Sequence, residues 1–296
     1  MWKRYQNYRD YRKRQTGRDD LDDERRIKRD GGVRPAPPAP ECPPGWQVGP
    51  PDFVGVGVQR GNTRRWFDLI TSHPEVAPAP IRKELHFFDR FYAGGYTSAD
   101  TADYHEHFPR DGRRRVGEWT PMYLSSPWVP PLLAAAAPET RLLAVLRDPI
   151  ERLRSGIEFN TVVEQVRGRP MSELAPAESF MHGLYHAQLT CLLSHFDRSQ
   201  LLVLQYERCI SDPLPQLKRT FEFLGLEDTE FVPDLGYHPH RQQSKPALDD
   251  VTREAYVTAY RDDVVKLVDA FPEIDVTLWP NFAHLGSTPT LSARPG

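Results

Sequence analysis

The run FVGVGV at residues 53–58 is followed at once by Gln59-Arg60-Gly61-Asn62-Thr63, and then by Trp66, Phe67 and Ile70 at helical spacing. It reads as a buried strand, a tight turn and a helix start. Such a junction aims several backbone N–H groups and the positive end of a helix dipole at one point, where anions bind. Gly61 allows close backbone approach, Thr63 adds a hydroxyl, and Arg60 supplies a charge retained at any working pH. The same residues also suit an ordinary strand-to-helix turn with a surface arginine. A nucleotide triphosphatase would carry G-x-x-x-x-G-K-[ST] here, and that pattern is absent.

Outward from this junction, short β-branched runs alternate with amphipathic stretches, which predicts an α/β domain: a central, mainly parallel sheet flanked by helices. Strands are expected at Phe53–Val58, Arg82–Phe87, Arg115–Glu118, Arg141–Leu146 and Leu201–Gln205. Helices are expected at Thr63–Ser72, Pro149–Asn160, Phe180–Phe196 and Leu214–Leu224, with a last one whose Tyr256, Tyr260, Val264, Leu267, Val268 and Phe271 share a buried face.

A second chemical signal follows the strand at 141–146. Arg147 stands at its tip, Asp148 is placed to cap a helix, and Pro149 and Glu151 suit that helix's first turn. Arg147 and Ser155, two turns along, can converge on a further anion, the guanidinium giving paired charge-assisted bonds. A neighbouring carboxylate would be the ordinary partner for the arginine.

Residues 1–34 carry 12 Lys/Arg against 7 Asp/Glu and the remainder 26 against 34, so the basic charge is mostly that of the arm; such an arm could touch nucleic acid or an acidic partner, but its interspersed Asp and Glu favour a solvated tail, and no nucleic-acid partner is expected. The arm has almost no aliphatic residues and is expected to be disordered; eight prolines in 35–51 then form a stiff linker, and the folded domain is expected over 52–296. No apolar run reaches the ~18 residues that span a bilayer, and no apolar signal core precedes the domain. Three scattered cysteines suit neither a disulfide framework nor a zinc cluster, and a cytoplasmic location is expected. His105-Glu106-His107 lacks a third ligand at zinc spacing, so no metal is expected.

Taken together, G-V-Q-R-G-N-T at 57–63 and L-R-D-P-I-E-R-L-R-S at 146–155 resemble the two nucleotide-binding motifs of the sulfotransferases that use 3′-phosphoadenosine 5′-phosphosulfate (PAPS). H-P-E-V at 73–76, K-E-L-H-F-F-D at 83–89, G-E-W-T-P-M-Y at 117–123, L-L-V-L-Q-Y-E at 201–207, F-E-F-L-G-L at 221–226 and W-P-N-F at 279–282 fit the same family. The ordered set is more specific than any member, and its texture is that of the bacterial and heparan-sulfate-type branches. The resemblance implies a P-loop-like three-layer fold and transfer of a sulfuryl group from PAPS to a hydroxyl, or less readily an amine, of a small-molecule, lipid or carbohydrate acceptor. Adenosine 3′,5′-bisphosphate is the implied coproduct. A phosphotransferase, or a nucleotide-binding module of the same fold without catalysis, is the alternative.

The resemblance also assigns residues. Arg60 would contact the sulfuryl and bridging oxygens, Gly61, Asn62 and Thr63 the 5′-phosphate, and Arg147 with Ser155 the 3′-phosphate. Glu84 would be the catalytic base, with His86, whose ordinary pKa lies near working pH, as its rival and a pair making only structural salt bridges as the third reading. An extended strand would point both to the cleft and turn Leu85 and Phe87 to the core. Asn62 stands where a second glycine is common, and it tolerates left-handed backbone. Arg64 replaces a hydroxyl residue and would either supply a charged substitute or point to solvent and weaken the site. Trp119 stands where some heparan-type enzymes carry lysine, and with Tyr123 it suits either an acceptor wall or the core. Arg241 and Lys245 would belong to a cationic flap over the nucleotide.

Overall fold

The computed structural model describes residues 36–78, 84–167, 175–228, 230–235 and 247–287. The expected charged arm, residues 82 and 83, and Arg241 and Lys245 lie outside them. Among the described residues six strands run in chain order: β1 Gln47–Val48, β2 Phe53–Gly57, β3 Pro109–Arg110, β4 Gly117–Trp119, β5 Arg141–Leu146 and β6 Leu201–Gln205. The helices are α1 Thr63–Thr71, α2 Ser98–His105, α3 Val129–Ala136, α4 Pro149–Arg167, α5 Ala175–Met181, α6 Tyr185–Leu193, α7 Tyr206–Ser211, α8 Pro213–Leu224 and α9 Asp250–Ala270.

The main sheet has the order β4-β2-β5-β6 and every pairing in it is parallel. Its strands are apolar on both faces because both faces are covered. Val54, Val56, Leu142, Ala144, Leu201 and Val203 pack with Leu133, Leu153, Leu189 and Val264 from α3, α4, α6 and α9. The alternate residues Phe53, Leu143, Val145 and Leu204 pack with Trp66, Phe67 and Ile70 of α1 and Leu217 and Phe221 of α8. Period-two alternation thus sorts one set of strands into two cores, giving three layers. Each fully buried side chain contributes on the order of 1.5–3 kcal/mol, so this double burial outweighs any local propensity in fixing the sheet. At Gly55 an added Cβ would fall inside the Trp119 ring, so glycine there lets the indole of β4 lie across β2.

Three expectations are corrected. Residues 84–86 form no strand, and Phe87–Phe91 is a 3₁₀ turn. His86 has φ 53, which breaks extension, and the N–H groups of Leu85 and Phe87 go to the hydroxyls of Thr120 and Tyr123 rather than to a neighbouring strand. The helix expected over 180–196 is two, α5 and α6, separated by a turn at His182–Leu184, whereas α4 runs beyond Asn160 to Arg167. The proline-rich segment is not all linker, since β1 pairs antiparallel with β3 and Arg114 lies over the Trp46 ring at 5.6 Å, so tertiary contacts begin ahead of Asp52.

Candidate active site

All four strands of the main sheet point the same way, so the segments leaving their carboxyl ends share one edge, where ligands bind in open α/β sheets. In spatial order these are the Thr120 segment after β4, the loop at 58–62 after β2, Arg147 after β5 and Tyr206 after β6.

The loop after β2 is a concave turn. Arg60 (φ 70) and Asn62 (φ 61) are left-handed on either side of Gly61, which is not, and this alternation turns successive N–H groups inward as an anion-binding nest. A Cβ on Gly61 would lie 2.6 Å from the Val145 carbonyl oxygen and 3.0 Å from that of Val58, so only glycine lets the loop sit this close to β5. α1 begins at Thr63, which is buried. Arg64 is exposed on the first turn, and Arg65 donates through Nη2 to the Leu235 carbonyl at 3.0 Å, tying α1 to the chain after α8.

The second motif closes on the first. Arg147 Nη1 donates to the Arg60 carbonyl at 3.1 Å, and Arg60 Nε donates to Ser155 Oγ at 3.0 Å, with the Arg60 guanidinium 5.0 Å over the Phe159 ring. Arg147 is buried, lies 4.3 Å over the Tyr206 ring, and leaves its Nε without a partner. An orphaned buried guanidinium N–H on a side chain that holds the nest at the Arg60 carbonyl fits a phosphate-bearing ligand. Asp148 caps α4 as its sequence suggests: Oδ1 accepts from Ile150 N at 2.8 Å, and Oδ2 accepts from the backbone and side chain of Asn281. Burial nonetheless raises the Asp148 pKa over the lowering effect of those bonds.

Beside β4, Thr120 Oγ1 accepts from Leu85 N at 3.0 Å and His86 N at 3.4 Å. Glu84 and His86 are neighbours, as the sequence suggested, but through this anchored turn rather than through a strand. His86 Nδ1 lies 2.8 Å from Asp89 Oδ2 and Nε2 lies 3.4 Å from Glu84 Oε2. Burial opposes its charge, but the two carboxylates overcome that and raise its pKa to about 9. At neutral pH His86 is therefore a cation with no lone pair to accept a proton, and the Glu84 side chain beside it is 37% exposed.

Two residues of this region were not singled out from sequence: Asp89, and the buried Glu118 beneath the turn. Glu118 accepts from Tyr104 Oη at 2.9 Å and Thr120 Oγ1 at 2.6 Å, and burial outweighs these bonds to raise its pKa to about 7. Asp89 had a signal, being three residues past a histidine in an aromatic turn; Glu118 had only its place in a short strand. Trp119 and Tyr123 are core residues, with Trp119 Nε1 donating to the Gly57 carbonyl.

Both shifts act on stability in the same direction. Folded Glu118 keeps its proton from the ordinary carboxyl value of 4.5 up to about 7, so stability falls as pH rises through that window. Folded His86 holds its proton above 6.5, so its contribution is complete below 6.5 and is lost as pH rises through about 9. Each shift corresponds to about 3 kcal/mol in order of magnitude. Urea unfolding at pH 5, 7 and 9 is expected to show a decline across both windows, with Glu118→Gln flattening the lower and His86→Gln the upper. A profile unchanged in either variant would dissociate that residue from the decline.

Comparison with known proteins supplies the family. The family described as "Sulfotransferase domain" matches residues 96–258, more than half of the chain, including β4, β5 and α4. Human heparan sulfate glucosamine 3-O-sulfotransferase 6 is 32% identical over 211 residues, covering 67% of this chain and 58% of the relative. Heparan sulfate glucosamine 3-O-sulfotransferase 3B1 of Mus musculus is 29% identical over 210 residues, covering 67% and 51%. The chain thus spans a little over half the length of these two relatives. Among solved structures, a sulfotransferase from Alicyclobacillus acidocaldarius shares the fold with a TM-score of 0.62 at 24% identity, covering 78% of this chain and 99% of that one. Among the described residues no group of three His, Cys, Asp or Glu is placed to hold a metal ion, and no helix is long and apolar enough to cross a membrane. A parallel sheet with a nest after β2, an arginine–serine pair after β5 and a family match spanning the second of these have one joint meaning: the chain belongs to the sulfotransferase family.

Proposed function

We propose that this chain transfers a sulfuryl group from PAPS to a hydroxyl of a carbohydrate acceptor, leaving adenosine 3′,5′-bisphosphate. The observation that carries the reading is the contact between the two motifs: Arg60 Nε on Ser155 Oγ, and Arg147 Nη1 on the Arg60 carbonyl. These bonds bring the nest and the residues of the second motif together, which supports one ligand held by both.

When bound, PAPS supplies an activated sulfuryl group on a phosphate leaving group. The nest at 59–63 and the Arg60 guanidinium hold the 5′ end and stabilise charge that grows on the departing oxygens. Arg147 and Ser155 hold the 3′-phosphate and set the register of the nucleotide. Glu84 takes the proton of the acceptor hydroxyl as its oxygen bonds to sulfur, and the His86 cation keeps the Glu84 carboxylate oriented. The names of the 3-O-sulfotransferase relatives support a glucosamine-containing polysaccharide as acceptor.

The test is incubation of the purified chain with PAPS labelled in its sulfuryl group and heparan sulfate, followed by digestion and disaccharide analysis. Label in a 3-O-sulfated glucosamine is the expected result. Label that remains in PAPS, with heparan sulfate and with simpler glucosaminides alike, would overturn the carbohydrate reading.

A further inference from the structure

Arg152 lies on α4, one turn before Ser155, and neither motif assigns it a role. Its side chain is wholly buried, yet Nε and Nη1 have no partner, and only Nη2 is used, as a donor to the Ser179 carbonyl. No carboxylate pairs with it among the described residues. Its guanidinium runs along the helix over Gly156, where an added Cβ would stand 3.6 Å from Nη1. Its charged neighbour is another cation, Arg147, which joins burial in lowering the Arg152 pKa, though the tyrosines 185 and 260 act the other way. His182, whose pKa burial and Arg152 together depress to about 4, is neutral at working pH and supplies no counter-charge.

Buried guanidinium groups are ordinarily paired, because desolvating a cation without an anion is among the costliest things a fold can do. Here two, Arg147 and Arg152, both precede Ser155 in the segment that opens α4, lie within electrostatic reach of one another, and each has an unused N–H. We infer that Arg152 is a positioning residue for the nucleotide: a buried cation whose counter-charge is the 3′-phosphate dianion held at Arg147 and Ser155, so that it sets the preference for a ribose phosphomonoester over a free ribose hydroxyl. This rests on the PAPS reading above. Arg152 does not touch the ligand; it acts through the field behind the Arg147–Ser155 pair, where low polarisability lengthens the reach of a charge.

The experiment is calorimetry of the full chain with adenosine 3′,5′-bisphosphate and with adenosine 5′-monophosphate. The wild type is expected to favour the bisphosphate. In Arg152→Met that preference is expected to fall roughly tenfold or more, while the monophosphate affinity changes by no more than about threefold, because only the 3′ charge senses Arg152. Arg152→Gln keeps a donor for the Ser179 carbonyl without the charge and is expected to show the same loss, which covers the case in which the methionine variant fails to fold. Arg152→Lys is expected to recover part of the preference. An unchanged preference in the neutral variants, or an equal loss for both nucleotides, would overturn the inference and leave Arg152 a strut between α4 and α5. A wild type with no preference would overturn the PAPS reading itself.

Discussion

Glu84→Gln is expected to lower turnover by about 10²- to 10⁴-fold, the usual worth of a general base, while leaving the affinity for adenosine 3′,5′-bisphosphate within about twofold. The substitution preserves size and one acceptor oxygen, so the turn that carries residue 84 is left in place. That turn is held from behind: Leu85 N and His86 N donate to Thr120 Oγ1, and Phe87 N donates to Tyr123 Oη. What is lost is the capacity to take a proton. His86 does not replace it, because it keeps Asp89 Oδ2 at 2.8 Å after the Glu84 carboxylate is gone and remains biased toward its protonated form. Rates under saturating PAPS and acceptor, with calorimetry on the coproduct, check both halves. Turnover equal to wild type would strip Glu84 of the role of base, and equal loss in rate and nucleotide affinity would mean that the turn had collapsed. His86→Gln is expected to lower turnover less, since it removes the cation that orients Glu84 and not the base.

How much of this was legible in the sequence varies with the physics of each element. The strands at 53–57, 141–146 and 201–205 were readable because each is a short apolar run, buried on both faces, ended by a turn or a helix cap. The helix start at Pro149 was readable because Asp148 and Pro149 are local signals, and Asp148 caps as they imply. The 84–87 segment was misread as a strand because Leu85 and Phe87 alternate with polar residues; their burial is real, but a left-handed His86 and two distant hydroxyls decide the backbone. No periodicity reports a hydroxyl 36 residues away. The proline-rich stretch has the composition of a linker, yet the pairing of Gln47 and Val48 with Arg110 and Pro109 depends on a partner some 60 residues on. In the site, the nest and the Arg147–Ser155 pair could each be proposed from local residues. Their contact through Arg60, across 95 positions, is a property of the parallel sheet alone. Glu118 and Arg152 were unreadable as special, since a charged residue in a sequence is taken as solvated until the fold shows that it is not.

Arg147→Met is expected to weaken binding of adenosine 3′,5′-bisphosphate by roughly 10- to 150-fold, the worth of a charge-assisted hydrogen-bonded group at about 1.5–3 kcal/mol. Two contacts and one unpartnered donor depend on this side chain. Nη1 holds the Arg60 carbonyl and with it the curvature of the nest, the guanidinium plane covers Tyr206 at 4.3 Å, and the unpartnered Nε is the buried donor offered to a ligand. Methionine keeps the apolar bulk over Tyr206 and removes the other two. Adenosine 5′-monophosphate tests the first of those losses alone, because it engages the nest without a 3′-phosphate, and its affinity is expected to fall by less than tenfold, within the range of a single neutral-acceptor bond. Lysine restores the charge but not the fork, so Arg147→Lys is expected to bind the bisphosphate between wild type and Arg147→Met, with a steeper loss on adding salt than wild type shows. Arg147→Met and Arg152→Met differ in one respect that calorimetry reads directly: the former weakens both nucleotides, the bisphosphate more, whereas the latter spares the monophosphate. Equal affinity of wild type and Arg147→Met for the bisphosphate would place the 3′-phosphate elsewhere and separate the two motifs that the Arg60–Ser155 bond joins.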